Sequence, residues 1–295
     1  MSGNKQIRNS ALLTRAYLDS LQVELRTVDS NVASTKICLY GESFNTPVMM
    51  APLSGLDNIR PNGAVDAAKG AAAAGAVSWT GIGDMKELES LIATGAKVIK
   101  IIKPYSDHDV IFEKIEHAEK SGVFALGMDT DFFYGPMGKR GFAMDKPVSP
   151  KTLDDIKKFI RATKLPFILK GILSIHDTVK ALEAGAGGIV VSHHGGAVLD
   201  YAVPPVRILP EIAKIVDGKI PIFVDSGITR GMDAFKALAL GANGVLVGRA
   251  VIEGLTAAGA EGVQQVLDGM TEELRFAMSL TCSADPSRID PSVIR

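Results

Sequence analysis

Eight short apolar runs, each followed by a helix-like stretch, constrain this chain more than any other feature. They stand at Pro47–Ala51, Ala76–Thr80, Lys97–Ile102, Phe124–Met128, Phe167–Leu169, Gly188–Val191, Ile220–Val224 and Gly244–Val247. They are apolar throughout rather than alternating, as strands covered on both faces should be. Between them lie segments of helical composition, among them Asn62–Ala74, Asp84–Ala93, Val110–Lys120, Ser174–Ala184, Pro204–Val216 and Met232–Leu240. This alternation predicts parallel strands with right-handed crossovers, closed into an α/β (β/α)8 barrel of the TIM type. An open doubly wound sheet is the competing arrangement, and eight repeats over 295 residues match a barrel better.

Two regions follow from the pattern. Residues 1–46 read as a helical arm and a hairpin: Leu12, Leu13, Tyr17, Leu18, Leu21 and Leu25 recur at helical spacing, and Tyr40-Gly41-Glu42 resembles a hairpin turn. Residues 47–295 read as the barrel, with a C-terminal helix from Gly262 through Ser279. One connection is abnormally long. A helix at Leu153–Thr163 is preceded by an irregular loop at about 130–150, and loops of that length often serve as lids.

Composition removes several function classes. Lys and Arg number 32 against 33 Asp and Glu, so no basic excess points to nucleic acid. Cys38 and Cys282 are far apart in sequence and outside any metal-ligand spacing, which predicts free thiols in a reducing cytoplasm. The first residues lack the apolar core of a signal peptide, and no apolar run is long enough to cross a bilayer. A soluble cytoplasmic protein is expected.

In such barrels the active site lies at the C-terminal ends of the strands. The predicted ends are Ala51-Pro52-Leu53-Ser54, Thr80-Gly81, Lys103, Asp129-Thr130, Lys170-Gly171, Ser192-His193-His194, Asp225-Ser226-Gly227 and Gly248-Arg249. Nearly all are polar or glycine although the runs feeding them are not. In Ile189–Asp200, imidazoles at a strand end are placed for proton transfer, and a tight turn with surface histidines is the bland alternative. The last two ends follow strands seven and eight, where barrels commonly hold phosphate on glycine amides and a helix N-terminus. Arg249 adds a charged contact there. Lys170 should point its amine into the barrel mouth, as a Schiff-base lysine or as a cation beside an electron-rich ring. Asp129 is positioned to pair with an imidazole and fix its tautomer, or to cap the loop that follows.

Taken together these segments resemble the FMN-dependent 2-hydroxy-acid oxidase and dehydrogenase family, which includes glycolate oxidase, lactate oxidase and mandelate dehydrogenase. The similarity runs from about Val28 to near the C-terminus. It is densest in Leu165–Gly171, in Ile189–Asp200 and from Ile220 to Arg249. The resemblance implies FMN as cofactor, with Ala51, Pro52, Leu53, Ser54, Thr80 and Ser192 near the flavin and Lys170 beside its N1–O2 edge. It implies that Asp225, Gly227, Arg230, Gly248 and Arg249 take the ribityl chain and phosphate. His194 falls on the family's catalytic base and Asp129 on the acid that orients it. A homo-oligomer, a tetramer by resemblance, is also implied.

The departures concern the substrate. Ala197 stands where the family has the arginine that grips the substrate carboxylate, and His193 where it has asparagine. Lys103 ends Ile101-Ile102-Lys103, where the family has Gln-x-Tyr; Asp131 replaces a proline; and Thr229 replaces a phosphate-binding arginine. Lys139 and Arg140 lie near the second substrate arginine but out of register. Lys103, His193 and Ala197 are therefore the candidate substrate residues of an altered pocket. The expected function is FMN-dependent oxidation of a 2-hydroxy acid or a related hydroxyl or amine substrate, with an unspecified electron acceptor, no nucleic acid partner and no metal. The alternatives are a non-redox flavin isomerase resembling type 2 isopentenyl diphosphate isomerase, a flavin-free lyase using Lys170 as Schiff base, and a flavin-binding protein without catalysis.

Overall fold

The structure, a computed structural model, describes residues 9–134 and 141–295. Eight parallel strands close into a barrel in sequence order: β1 Val48–Leu53, β2 Ser78–Thr80, β3 Val98–Ile102, β4 Ala125–Asp129, β5 Phe167–Ile172, β6 Gly188–Val191, β7 Ile222–Val224 and β8 Gly244–Val247. Each predicted apolar run supplies one of them. The ring closes where Val245, Leu246 and Val247 of β8 pair with Val48, Met49 and Met50 of β1. No helix among the described residues is long and apolar enough to cross a membrane.

Strand period fixes which side chains enter the barrel. Met49, Val77, Trp79, Ile99, Ile101, Ala125, Ile168, Val190, Phe223 and Leu246 fill the interior as one apolar cluster. Their sequence neighbours pack outward against the helices in a second, larger cluster. Counting on by two from the interior positions reaches Lys103, Asp129, Lys170, Ser192, Asp225 and Gly248. The same alternation that builds the core therefore aims the polar residues into its mouth.

The opposite end is closed by the hairpin Ile37–Leu39/Glu42–Phe44, whose turn places Tyr40 and Gly41 at positive φ. Leu39 and Phe44 join the interior cluster, and Tyr40 Oη donates to Gly187 O at 2.8 Å.

Helices α2 Gly63–Ala73, α3 Met85–Ile92, α4 His108–Ser121, α5 Leu153–Arg161, α6 Ile175–Ala184, α7 Pro205–Val216 and α8 Gly231–Ala239 follow the strands. The last, α9 Arg249–Ser279, is kinked at Ala258 and Gly259, so its second half coincides with the C-terminal helix expected from Gly262. In the long loop, Phe142–Ala143 and Lys146–Pro147 form a small hairpin docked on the turn after β3, with Ser106 N donating to Pro147 O and Ser149 N to Pro104 O.

The N-terminal helix, α1 Asn9–Ser20, departs from the expected leucine face. Leu12, Leu13 and Leu25 are exposed, and the buried stripe is Ser10, Thr14 and Leu18. Polar groups are buried there because each finds a partner in the loop after β6. Ser10 Oγ donates to Leu199 O at 2.8 Å, and Thr14 Oγ1 meets His193 Nε2 at 2.7 Å.

Candidate active site

Lys170 lies at the centre of the mouth, 2% exposed, and four groups surround its ammonium. Asp225 Oδ2 is at 3.2 Å, Ser192 Oγ at 3.2 Å, His194 Nδ1 at 3.5 Å and Asp129 Oδ1 at 3.6 Å. Burial alone lowers a lysine's pKa, but Asp225, Asp129 and Asp131 outweigh it and hold this ammonium well above the ordinary lysine range. An amine so firmly protonated is a poor Schiff-base nucleophile, which argues against the lyase alternative.

Asp129 serves two cations. Its Oδ2 accepts from Lys103 Nζ at 2.6 Å, and that ammonium also lies 4.0 Å from the centre of the Phe132 ring. Burial pushes the Asp129 carboxyl up, but Lys103, Lys170 and His194 prevail and bring it down to about 2. Asp225 is likewise held low, against burial, by Lys170 and by hydrogen bonds from Ser192 and Ser226.

His194 is held in a left-handed turn, φ 55°, by its own N–H donating to Ser192 Oγ at 3.0 Å and by Gly195 N donating to Ser226 Oγ at 3.0 Å. Its Nδ1 lies 3.3 Å from Asp131 Oδ1 and 3.7 Å from Asp129 Oδ1, and Nε2 has no partner among the described residues.

A cavity of about 230 Å³ opens beside Lys170, lined by Ala51, Pro52, Leu53, His194, Asp225, Gly227, Gly248 and Arg249 among others. Its far end is the start of α9, where Gly248 provides no side-chain cap and the first turn carries no acid. Those free N–H groups, with Arg249 beside them, form a ready anion site. The start of α8 is different, because Gly231 N already donates to Glu273 Oε2 at 2.6 Å and Asp233 sits in the first turn.

Not every expected residue joins this group. Thr80 shares the face of Ser78, opposite the interior-facing Trp79, and so points to the helical shell. Ser54 Oγ accepts from Ile82 N at 2.7 Å, tying β1 to the loop after β2. Arg230 leans away from the cavity toward Asp233 and Asp19, at 3.8 and 3.9 Å. His193 is buried with both ring nitrogens engaged, Nε2 by Thr14 and Nδ1 by Gly196 N at 2.9 Å. It braces α1 and does not line the cavity. Ala197 follows this turn, and Lys139 and Arg140 lie outside the described residues.

Asp131, Phe132 and Ser226 were not anticipated as site residues. The Asp129-Thr130-Asp131 spacing was a usable signal, since it places a second carboxylate just beyond a strand end.

Comparison with known proteins gives a consistent result. The profile of the FMN-dependent dehydrogenase family matches residues 2–150 and 138–295. A 4-hydroxymandelate oxidase from Amycolatopsis orientalis is 32% identical, over 95% of this chain and 88% of its own length. A peroxisomal (S)-2-hydroxyacid oxidase from Arabidopsis thaliana is 32% identical, over 84% of this chain and 77% of its own. Among solved structures, a mandelate oxidase variant with a monooxide FMN adduct superposes with a TM-score of 0.88 at 31% identity, covering 100% of this chain and 93% of that one.

Proposed function

Because this chain belongs to the FMN-dependent dehydrogenase family, we propose that it oxidises a 2-hydroxy acid, or a related hydroxyl- or amine-bearing substrate, with His194 as the base. Its cofactor is FMN, and its activity is that of the family's FMN-dependent oxidoreductases. The observation that carries the reading is one cluster, Lys170 with Asp129 and His194, opening on a cavity that ends at an uncapped helix N-terminus. The donor set suits the cofactor: the amides of Gly227 and Gly248, the first turn of α9 and Arg249 for a phosphate, and the fixed cation of Lys170 for an electron-rich ring. Bound there, FMN would supply the acceptor for the hydride, or its equivalent, that substrate oxidation releases.

The chain's own residues do the rest. His194 Nε2 takes the substrate proton, while carboxylates on the Nδ1 side keep the ring oriented. Ser192 and Asp225 fix the position of Lys170. On the substrate side, Lys103 is committed to Asp129 and Phe132, and Ala197 offers no charge. A small carboxylate held without a charged partner binds weaker by roughly 2–5 kcal/mol. We therefore take the substrate to be larger, or to lack a carboxylate at that point. The reading includes a homo-oligomer, on the family resemblance, and a reducing compartment such as the cytoplasm, on the two free cysteines. The related proteins are named as oxidases, which disfavours the isomerase and the non-catalytic alternatives.

The test is anaerobic. The purified protein should be yellow, and its visible band should bleach with a member of a panel of hydroxy acids, alcohols and amines. His194→Ala should keep the flavin and slow that bleaching by roughly 10²–10⁴-fold. Bleaching at the parental rate would remove His194 from the reaction.

A further inference from the structure

Asp129 is the residue the family resemblance pairs with His194, yet in this chain its charge is spent elsewhere. Lys103, on the position of a family tyrosine, holds Oδ2 at 2.6 Å, and Lys170 stands 3.6 Å from Oδ1. Two ammoniums thus face one carboxylate. Its Oδ1 is buried with no hydrogen bond and lies 3.7 Å from His194 Nδ1, beyond hydrogen-bond reach.

Asp131 occupies the place that Asp129 has left. Its Oδ1 is 3.3 Å from His194 Nδ1, and no lysine or arginine among the described residues comes within ion-pair distance of it, although its charge still acts on Lys170. Its position is built. Thr130 N and Oγ1 both donate to Lys170 O, at 2.6 and 2.9 Å, pinning the chain after β4 over the end of β5. Gly171 sits in the register shift of β5 at φ 101°, where a Cβ would come within 2.5 Å of Asp131 Cγ. Only a glycine there leaves room for the carboxylate.

We propose that Asp131, and not Asp129, is the positioning residue of His194 in this protein, the Lys103 ammonium having drawn Asp129 out of that role. This rests on His194 being the base. The groups facing the imidazole are Asp131, Asp129, Lys170 and, one layer further, Asp225 and Lys103, with Phe132 5.2 Å away ring to ring. The ammonium of Lys170 lies closer to Asp225 and Ser192, at 3.2 Å each, than to His194 Nδ1, at 3.5 Å. Asp131 is therefore the acceptor left for an Nδ1 proton, and that tautomer keeps the Nε2 lone pair free for the substrate.

The experiment reads the tautomer directly, by imidazole ¹⁵N shifts of His194 in FMN-loaded protein, alongside anaerobic flavin reduction. Asp131→Asn should shift the ring away from the Nδ1–H form and slow reduction by roughly 10²-fold, with KM little changed. Asp131→Glu should restore part of both. The double variant Lys103→Met/Asp129→Asn, which removes the buried pair together, should leave the tautomer as in the parent. An unchanged tautomer in Asp131→Asn, or loss of the Nδ1–H form only when Asp129 is replaced, overturns the proposal. If His194→Ala reduces its flavin normally, the base assignment fails, and the tautomer measurement still decides the Asp131–His194 contact independently.

Discussion

Beyond Asp225 and Ser226, the barrel mouth at the ends of β7 and β8 is mainly backbone, namely Gly227, Gly248 and the open first turn of α9 with a single arginine. At the ends of β3, β4 and β5 it is made of charge, with Lys103, Asp129, Asp131 and Lys170 packed within a few ångströms of one another. By the resemblance in sequence the backbone half keeps the glycines and Arg249 and departs at Thr229. By the same resemblance the charged half departs at Lys103 and Asp131. A backbone cradle depends on local chain geometry and tolerates little change. A charge cluster can exchange partners among its own members, as Asp129, shared between Lys103 and Lys170, illustrates.

The comparison can be broken most strongly at its junction. Lys170→Met strands Asp225 as a buried carboxylate and leaves Asp129 to Lys103 alone, so both halves should fail together. Denaturant unfolding should show a loss of about 3–5 kcal/mol, and the flavin should bind more weakly or show a lower reduction potential. An unchanged potential would remove Lys170 from the ring's edge.

Lys103→Met tests the charged half alone. Because Lys170 still faces Asp129, the expected cost is smaller, about 2–3 kcal/mol, with flavin affinity held. The acid limb sharpens the point. Asp129 and Asp225 are both held below their ordinary value of 3.8, so their stabilisation is present above it and lost as the pH falls below it, for Asp129 toward about 2. In Lys103→Met that loss should begin at higher pH, as read by unfolding midpoints across the acid range.

Gly227→Val tests the backbone half. The residue has φ 84°, and a Cβ would lie 2.8 Å from Thr14 Cγ2, a combination costing about 1–3 kcal/mol. Flavin affinity should fall about tenfold or more by fluorescence titration, while the His194 cluster keeps its geometry. The smallest effect is expected from Thr14→Val, which removes the partner of buried His193. Burial holds that imidazole below its ordinary value, so it stays neutral, and stability should fall by about 1 kcal/mol with catalysis unaffected.

Much of this was legible in the chain. The apolar runs specify eight strands, and their period of two sends Lys103, Asp129, Lys170, Ser192 and Asp225 inward without further information. The glycines after β7 and β8 marked the anion end. Only the resemblance told His194 from His193 in the sequence; local pattern could not, since adjacent residues in a turn diverge according to what each meets: one meets Thr14 of α1, the other Asp131. The leucine spacing of α1 misled for a similar reason, because Ser10 finds an acceptor in Leu199 O and Thr14 a ring nitrogen of His193, both in a loop some 180–190 residues away.

Sequence alone determined the barrel, the end of it that carries chemistry and the family to which it belongs, because strand period and local glycine geometry are written within a few residues. Which carboxylate holds which cation was decided only in the folded molecule. Lys103, Asp129, Asp131 and Lys170 come from three different strand ends, and their pairing depends on distances of 2.6 to 3.7 Å that no one-dimensional pattern records.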